Sequence, residues 1–221
     1  MGVAPATQWD SREVIEIDDF IPPSYADMLE NLICKNPQFA WTYAASTNNE
    51  SAPHIMNKDD RSYESEQLVH AFFAEGEQKS VFFDMLFPLF YFLEDKTGFA
   101  VSGIEKIKAN MLLRKDIGRD AYNTPHVDLP EPGHKSMIYY VIDSDGDTFV
   151  FNQVYDDRSL TLRKRIVPKR RKAIIFDSNT WHASSNPRAH PRRVVLNFIF
   201  GVTRGLSQRQ GQDPALLGHP V

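Results

Sequence analysis

One cysteine, Cys34, stands among the 221 residues. A single thiol excludes an intramolecular disulfide, and it excludes zinc or iron–sulfur sites built from several cysteines. Long apolar runs are missing too. The most apolar stretch, SVFFDMLFPLFYFL (80–93), is too short to cross a bilayer and contains Asp84 and Pro88. Surplus positive charge is also lacking: 25 Lys and Arg stand against 29 Asp and Glu, for a net charge of −4, so the global basic signature of a nucleic-acid binder is absent. Internal repeats and low-complexity segments do not occur. The opening residues, MGVAPATQWDSREVIEID, hold no apolar run of signal-peptide length. The expectation is a soluble, intracellular, cytoplasmic protein with no membrane partner.

What is present suits one folded domain over 1–221. Hydrophobic residues make up 42% and charged residues 24%, ordinary values for a globular chain. The near alternation in VIEIDDFI (14–21) predicts a strand. PPSYADMLENLICKN (22–36) predicts a helix, with prolines and Ser24 at its start and Leu29, Leu32 and Ile33 on one face. Residues 46–62 are polar and turn-rich, and 64–75 and 78–96 carry helical patterns. From 103 onward short β-type runs separated by turns follow one another: IEKIKANMLL, SMIYYVI, DTFVFN, TLRKRIV, KAIIFD and RRVVLNFIFGV. The expected fold is mainly β with flanking helices: N-terminal strand and helices (1–102) packed on a jelly-roll core (103–205), then an irregular tail (206–221).

The chemistry concentrates in PHVDLP (125–130). On a strand His126 and Asp128, two apart, face the same side, as two ligands of one ion must. His-x-Asp alone is common and is usually a pair of hydrogen-bonded surface residues. IIFDSNTWHASSNP adds His182, 56 positions after His126, at the far end of a strand and a turn. Two histidines and one carboxylate with open positions form the facial triad of non-haem Fe(II) oxygenases. The strand RRVVLNFIF then begins with Arg192 and Arg193, and its apolar residues occupy both faces. A guanidinium buried in a roll needs an anion, and a carboxylate bound by two parallel hydrogen bonds is the natural partner. Arg193, sharing a face with Val195 and Asn197, is favoured over Arg192 as the inward one.

These residues carry a resemblance. The segment 103–201 is similar to the catalytic core of Fe(II)/2-oxoglutarate-dependent dioxygenases, nearest the prolyl-4-hydroxylase-like branch. KANMLLRKDIGRDAYNTPHVD resembles the strand and loop that lead into H-x-D in that branch. SDGDTFVFN resembles the Gly-Gly-Glu-Thr-x-Phe signature, with Asp145 in place of the first glycine. VPKRRKAIIFDSNTWHAS resembles the strand, turn and distal histidine. The resemblance implies Fe(II) held by His126, Asp128 and His182, and 2-oxoglutarate bound as cosubstrate. Its distal carboxylate would lie on Arg193 and on Tyr140 of MIYYVID, with Asn197 at the small polar position four residues after the basic one. It further implies O2 as oxidant, succinate and carbon dioxide as products, ascorbate in support, and a hydroxylated substrate. Peptidyl proline is the first expectation by branch, with other small molecules open. Arg114 stands where many members of this branch have a tyrosine near the cosubstrate.

Two other classes compete: a cupin-like metal-binding or sensing module without turnover, and a nucleic-acid-acting protein using LRKRIVPKRRK (162–172). That stretch holds seven Lys and Arg in eleven residues and is read here as a hairpin with a solvated basic turn, so a nucleic-acid partner is not favoured. His134 and His190 are expected at the surface, and Trp181 in packing. The loops 46–62 and 129–135, with the tail, are expected to ring the mouth of the roll.

Overall fold

The structure is a computed structural model that describes residues 13–47 and 53–204; the tail lies outside them. The first half contains β1 (Ile15–Ile17), α1 (Pro23–Lys35), β2 (Thr42–Ala44), β3 (Ser62–Tyr63), β4 (Gln67–Ala74), β5 (Glu77–Gln78) and α2 (Phe87–Thr97). The second half is all strand: β6 (Phe99–Leu113), β7 (Tyr122–Asn123), β8 (His134–Tyr140), β9 (Thr148–Val154), β10 (Leu162–Ile166), β11 (Ala173–Asp177), β12 (Thr180–Ser184) and β13 (Arg192–Arg204).

Two antiparallel sheets make the jelly roll. The larger runs β1-β11-β8-β13-β6-β4-β2 and the smaller β10-β9-β12. The long central strand β13 pairs with β6 from Arg192↔Leu113 to Arg204↔Phe99, and with β8 on its other side. Period-2 alternation divides the large sheet into two faces. On one, Ile107, Ala109, Met111, Met137, Tyr139, Val194, Leu196, Phe198 and Phe200 join the helices in the main core. On the other, Ile138, Tyr140, Ile174, Phe176 and Val195 turn toward the small sheet. The functional groups described below lie in that second layer.

Both helices cover the first face. α1 starts on Pro23, whose missing N–H costs nothing in the first turn, and buries Ala26, Leu29, Leu32 and Ile33. α2 buries Leu89, Phe90 and Leu93, and the Phe90 ring meets Phe198 and Phe200 edge-on at centroid distances of 5.6 and 6.1 Å. It ends at Gly98, which adopts φ +71° and donates its N–H to the Glu94 carbonyl at 2.8 Å.

Three expectations need correction. Residues 67–74 form β4, not a helix, pairing with β6 on one edge and β2 on the other. The helix expected from residue 78 begins at Phe87, after a 3-10 turn at Phe83–Leu86. The basic stretch is not a hairpin either: β10 pairs with β9 in the small sheet and β11 with β8 in the large one, so residues 167–172 cross between layers.

Candidate functional site

The backbone brings the histidines together. His126 and His182 form a two-way bridge, each N–H donating to the other's carbonyl at 2.9 Å, and their rings lie 4.4 Å apart. The Asp128 N–H donates to the Ser178 carbonyl in the β11–β12 turn, also at 2.9 Å. Alternation then sorts the side chains. Val127 and Trp181 point away, into an apolar cluster with Tyr122, Phe149 and Phe151, while His126, Asp128 and His182 converge. Trp181 serves packing, its indole N–H donating to the Val154 carbonyl at 2.8 Å. One ligand-type atom from each of His126, Asp128 and His182 lies within 4.8 Å of the others, and His182 Nε2 is 3.6 Å from Asp128 Oδ2. That spacing fits donors each about 2 Å from a shared ion.

The surroundings prepare these groups as ligands. His182 Nδ1 bonds the Thr180 carbonyl at 3.0 Å, so that nitrogen carries the proton and the Nε2 lone pair is bare. Burial, and then the neighbouring His182, push His126 far below the ordinary imidazole range, so the ring is neutral. Burial alone would raise the Asp128 pKa. Electrostatic interaction with His182, His126 and Lys108 and a 2.6 Å hydrogen bond from Ser136 Oγ outweigh it, and the group is held as a carboxylate. The donor set fits a divalent cation.

Beside the triad is a pocket of about 480 Å³, its open mouth included, lined from both sheets. Arg193 is 3% exposed and faces into it; Arg192 lies half-buried on the opposite face of β13. Arg193 Nη2 donates to Thr148 Oγ1 at 2.8 Å, while its Nε is buried without a partner. The Tyr140 hydroxyl donates to the same Thr148 oxygen at 2.8 Å. Accepting from both, Thr148 keeps its own proton free to donate into the pocket. Tyr140 is fully buried and is not among the lining residues; it reaches the pocket through Thr148, a residue the sequence reading did not single out. Asn197 lines the pocket with its Nδ2 3.5 Å from Asp128 Oδ1.

The departures from the Gly-Gly-Glu-Thr pattern have structural reasons. Asp145 accepts the N–H groups of Arg188, Ala189 and His190, and its Oδ1 meets His190 Nδ1 at 2.9 Å. It therefore fixes the turn that leads into β13. Gly146 is irreplaceable by packing: a Cβ there would lie 2.5 Å from the Ser185 carbonyl oxygen and 3.1 Å from Arg193 Cδ. Arg114 is exposed just past β6, with its N–H bonded to the Pro191 carbonyl, and lines a separate outer cleft. His134, expected in a surface loop, is instead the half-buried first residue of β8, with Nε2 3.6 Å from Glu105.

The basic stretch is largely neutralised within the fold. Lys164 and Lys172 pair with Glu16, Arg165 with Asp120 and Asp147, Arg170 with Asp27 and Glu30, and Arg171 with Asp19. These contacts tie the layer crossing to β1 and α1. At the mouth, Thr47 lines the pocket, and the Asn57 and Val127 N–H groups zip the 53–57 segment against the H-x-D segment.

No family model matches the sequence, and no curated protein matches it. Solved structures do. An oxidoreductase of the 2OG-Fe(II) oxygenase family from Burkholderia pseudomallei superposes with a TM-score of 0.59 at 12% identity, covering 87% of this chain and 86% of that one. The non-haem α-ketoglutarate-dependent epimerase SnoN from nogalamycin biosynthesis gives 0.54 at 9% identity, covering 96% and 88%. A prolyl hydroxylase from Trichoplax adhaerens, in complex with a hypoxia-inducible-factor peptide, gives 0.52 at 12% identity, covering 86% and 84%. At such identities the likeness establishes the fold.

Proposed function

We propose that this chain is an Fe(II)- and 2-oxoglutarate-dependent dioxygenase that hydroxylates its substrate, with His126, Asp128 and His182 as metal ligands. The observation that carries the reading is one juxtaposition. A cluster of two imidazoles and a buried carboxylate shares a pocket wall with a buried guanidinium that has no carboxylate partner among the described residues. The first feature calls for a cation and the second for an anion.

The roles of the chain's own groups follow. The Thr180 carbonyl fixes the His182 tautomer, and Ser136 and Asn197 orient the Asp128 oxygens. Arg193 and the free proton of Thr148 hold the distal carboxylate of the oxo acid by charge-assisted bonds, with Tyr140 bracing Thr148 from behind. Leu112, Ile138 and Val195 line the same pocket with apolar surface and exclude water. When bound, iron, the oxo acid and dioxygen together supply the oxidation, with release of succinate and carbon dioxide and insertion of oxygen into a substrate C–H bond.

The fold does not choose the substrate, because the structures it resembles include an epimerase and a prolyl hydroxylase. Peptidyl proline therefore stands only on the resemblance of the sequence. The test is succinate release under air with Fe(II), 2-oxoglutarate and ascorbate, screened over peptides, nucleosides and amino acids, with the oxygenated product identified by mass spectrometry. Iron-dependent release stimulated by one compound class supports the reading. No iron-dependent succinate from protein that holds the metal contradicts it.

A further inference from the structure

β6 carries a cation that the scheme above leaves idle. Lys108 lines the same pocket as His126, His182 and Arg193, on the side of β6 shared with Asn110 and Leu112. Its ammonium has no hydrogen bond and no ion pair among the described residues. A cation that faces the pocket without an acceptor among the described residues is open to an anionic ligand from outside the chain.

The polar groups next to it are oriented yet incomplete. Asn110 Nδ2 donates to Gln67 Oε1 at 2.6 Å, and Gln67 Nε2 donates to the Ser46 carbonyl at 3.1 Å. Asn110 Oδ1 and Thr47 Oγ1 are buried without partners. Charge balance narrows the missing group. The lining residues include two cations, Lys108 and Arg193, and no acid; Asp128 stands beside them. A divalent ion and a dianionic cosubstrate cancel each other, and Asp128 cancels one of the two cations but not both. One positive charge remains, and a monoanion neutralises it.

We propose that Lys108 binds a carboxylate of the primary substrate. The inference rests on the dioxygenase reading and specifies its substrate class: a carboxylic acid.

Binding can be read without turnover. Full-length protein loaded with Zn(II) and saturated with 2-oxoglutarate is titrated calorimetrically with matched pairs that differ in one charge: N-acetyl-L-leucine, 3-phenylpropionate and octanoate, each against its primary amide. At least one acid is expected to bind about tenfold or more tightly than its amide. Lys108→Met brings that ratio to about one, and Lys108→Arg, which keeps the charge, retains most of it. No acid preferred over its amide, or a preference that survives Lys108→Met, overturns the proposal. The same titration separates the two claims: protein that binds 2-oxoglutarate but shows no acid preference loses only the Lys108 assignment. Protein that fails to bind 2-oxoglutarate loses the dioxygenase reading, and this assignment with it.

Discussion

Arg193 donates to Thr148 Oγ1 at 2.8 Å, and among the described residues that hydroxyl is the only hydrogen-bond acceptor its Nη2 is given, although the side chain is 3% exposed. Its neighbours Asp147 and Tyr140 favour its charge, but burial outweighs them and lowers its pKa. A guanidinium placed this way is short of an anion. Arg193→Met is expected to raise the dissociation constant for 2-oxoglutarate by about ten- to a hundredfold with the far-ultraviolet circular dichroism unchanged. Thr148→Val, which removes the intermediary, is expected to give a smaller loss in the same direction. An unchanged titration in Arg193→Met would take Arg193 out of the oxo-acid site.

Asp128→Ala removes the one anionic ligand. Loss of a group that merely hydrogen-bonds a metal ligand costs about 10–100-fold in affinity or activity, and loss of the ligand itself exceeds that. Iron-dependent succinate formation should vanish, and retained iron measured after gel filtration should fall to background. Near-normal turnover would take Asp128 out of the site.

Gly146→Ala is expected to destabilise the fold by about 1–3 kcal/mol, because the added methyl meets backbone atoms, the Ser185 oxygen at 2.5 Å and the Pro187 nitrogen at 2.9 Å. Urea denaturation measures it. A midpoint equal to that of the parent would show that the turn shifts freely.

The Asp145 carboxyl titrates well below its usual value of 3.8: burial opposes ionisation, but the bonds from His190, Ala189 and Arg188 prevail. A folded-state pKa below the unfolded one gives stability that is present above the unfolded pKa and disappears as pH falls toward the folded one. Asp145→Asn should therefore melt lower than the parent at neutral pH, and the gap should close on acidification below about pH 4. A gap constant with pH would mean the charge of Asp145 contributes nothing.

Arg170 bridges Asp27 and Glu30 of α1. Arg170→Ala is expected to cost stability, about 0.5–1 kcal/mol for partly exposed pairs, and to leave salt-dependent retention on a polyanion column unaltered. Earlier elution of the variant at equal stability would revive the nucleic-acid reading.

The roll and the His126–Asp128–His182 cluster were legible because each depends on local pattern: β-branched runs set by turns, and a two-residue spacing that aligns side chains. β4 was not legible. Leu68 and Phe72 are four apart, as on a helix, but the segment is an added strand on the β6 edge, with a bulge between Ala71 and Phe73. That error hid Gln67. Lys108 was hidden differently. In IEKIKANMLL the polar positions look solvent-facing, yet in a two-layer roll the polar face of this strand is the pocket wall. The ion pairs that Lys164, Arg170 and Lys172 make with β1 and α1 join positions more than a hundred residues apart, and no local rule could supply them.

The central claim is that one ferrous ion sits among His126, Asp128 and His182 with the oxo acid reaching Arg193. Crystals grown anaerobically with Fe(II) and 2-oxoglutarate, measured on both sides of the iron absorption edge, test it directly. The account predicts a single anomalous peak about 2 Å from both imidazole Nε2 atoms and an Asp128 oxygen, with the distal carboxylate on Arg193 and Thr148. Iron bound elsewhere, or no ordered iron in protein that has taken it up, would contradict the account.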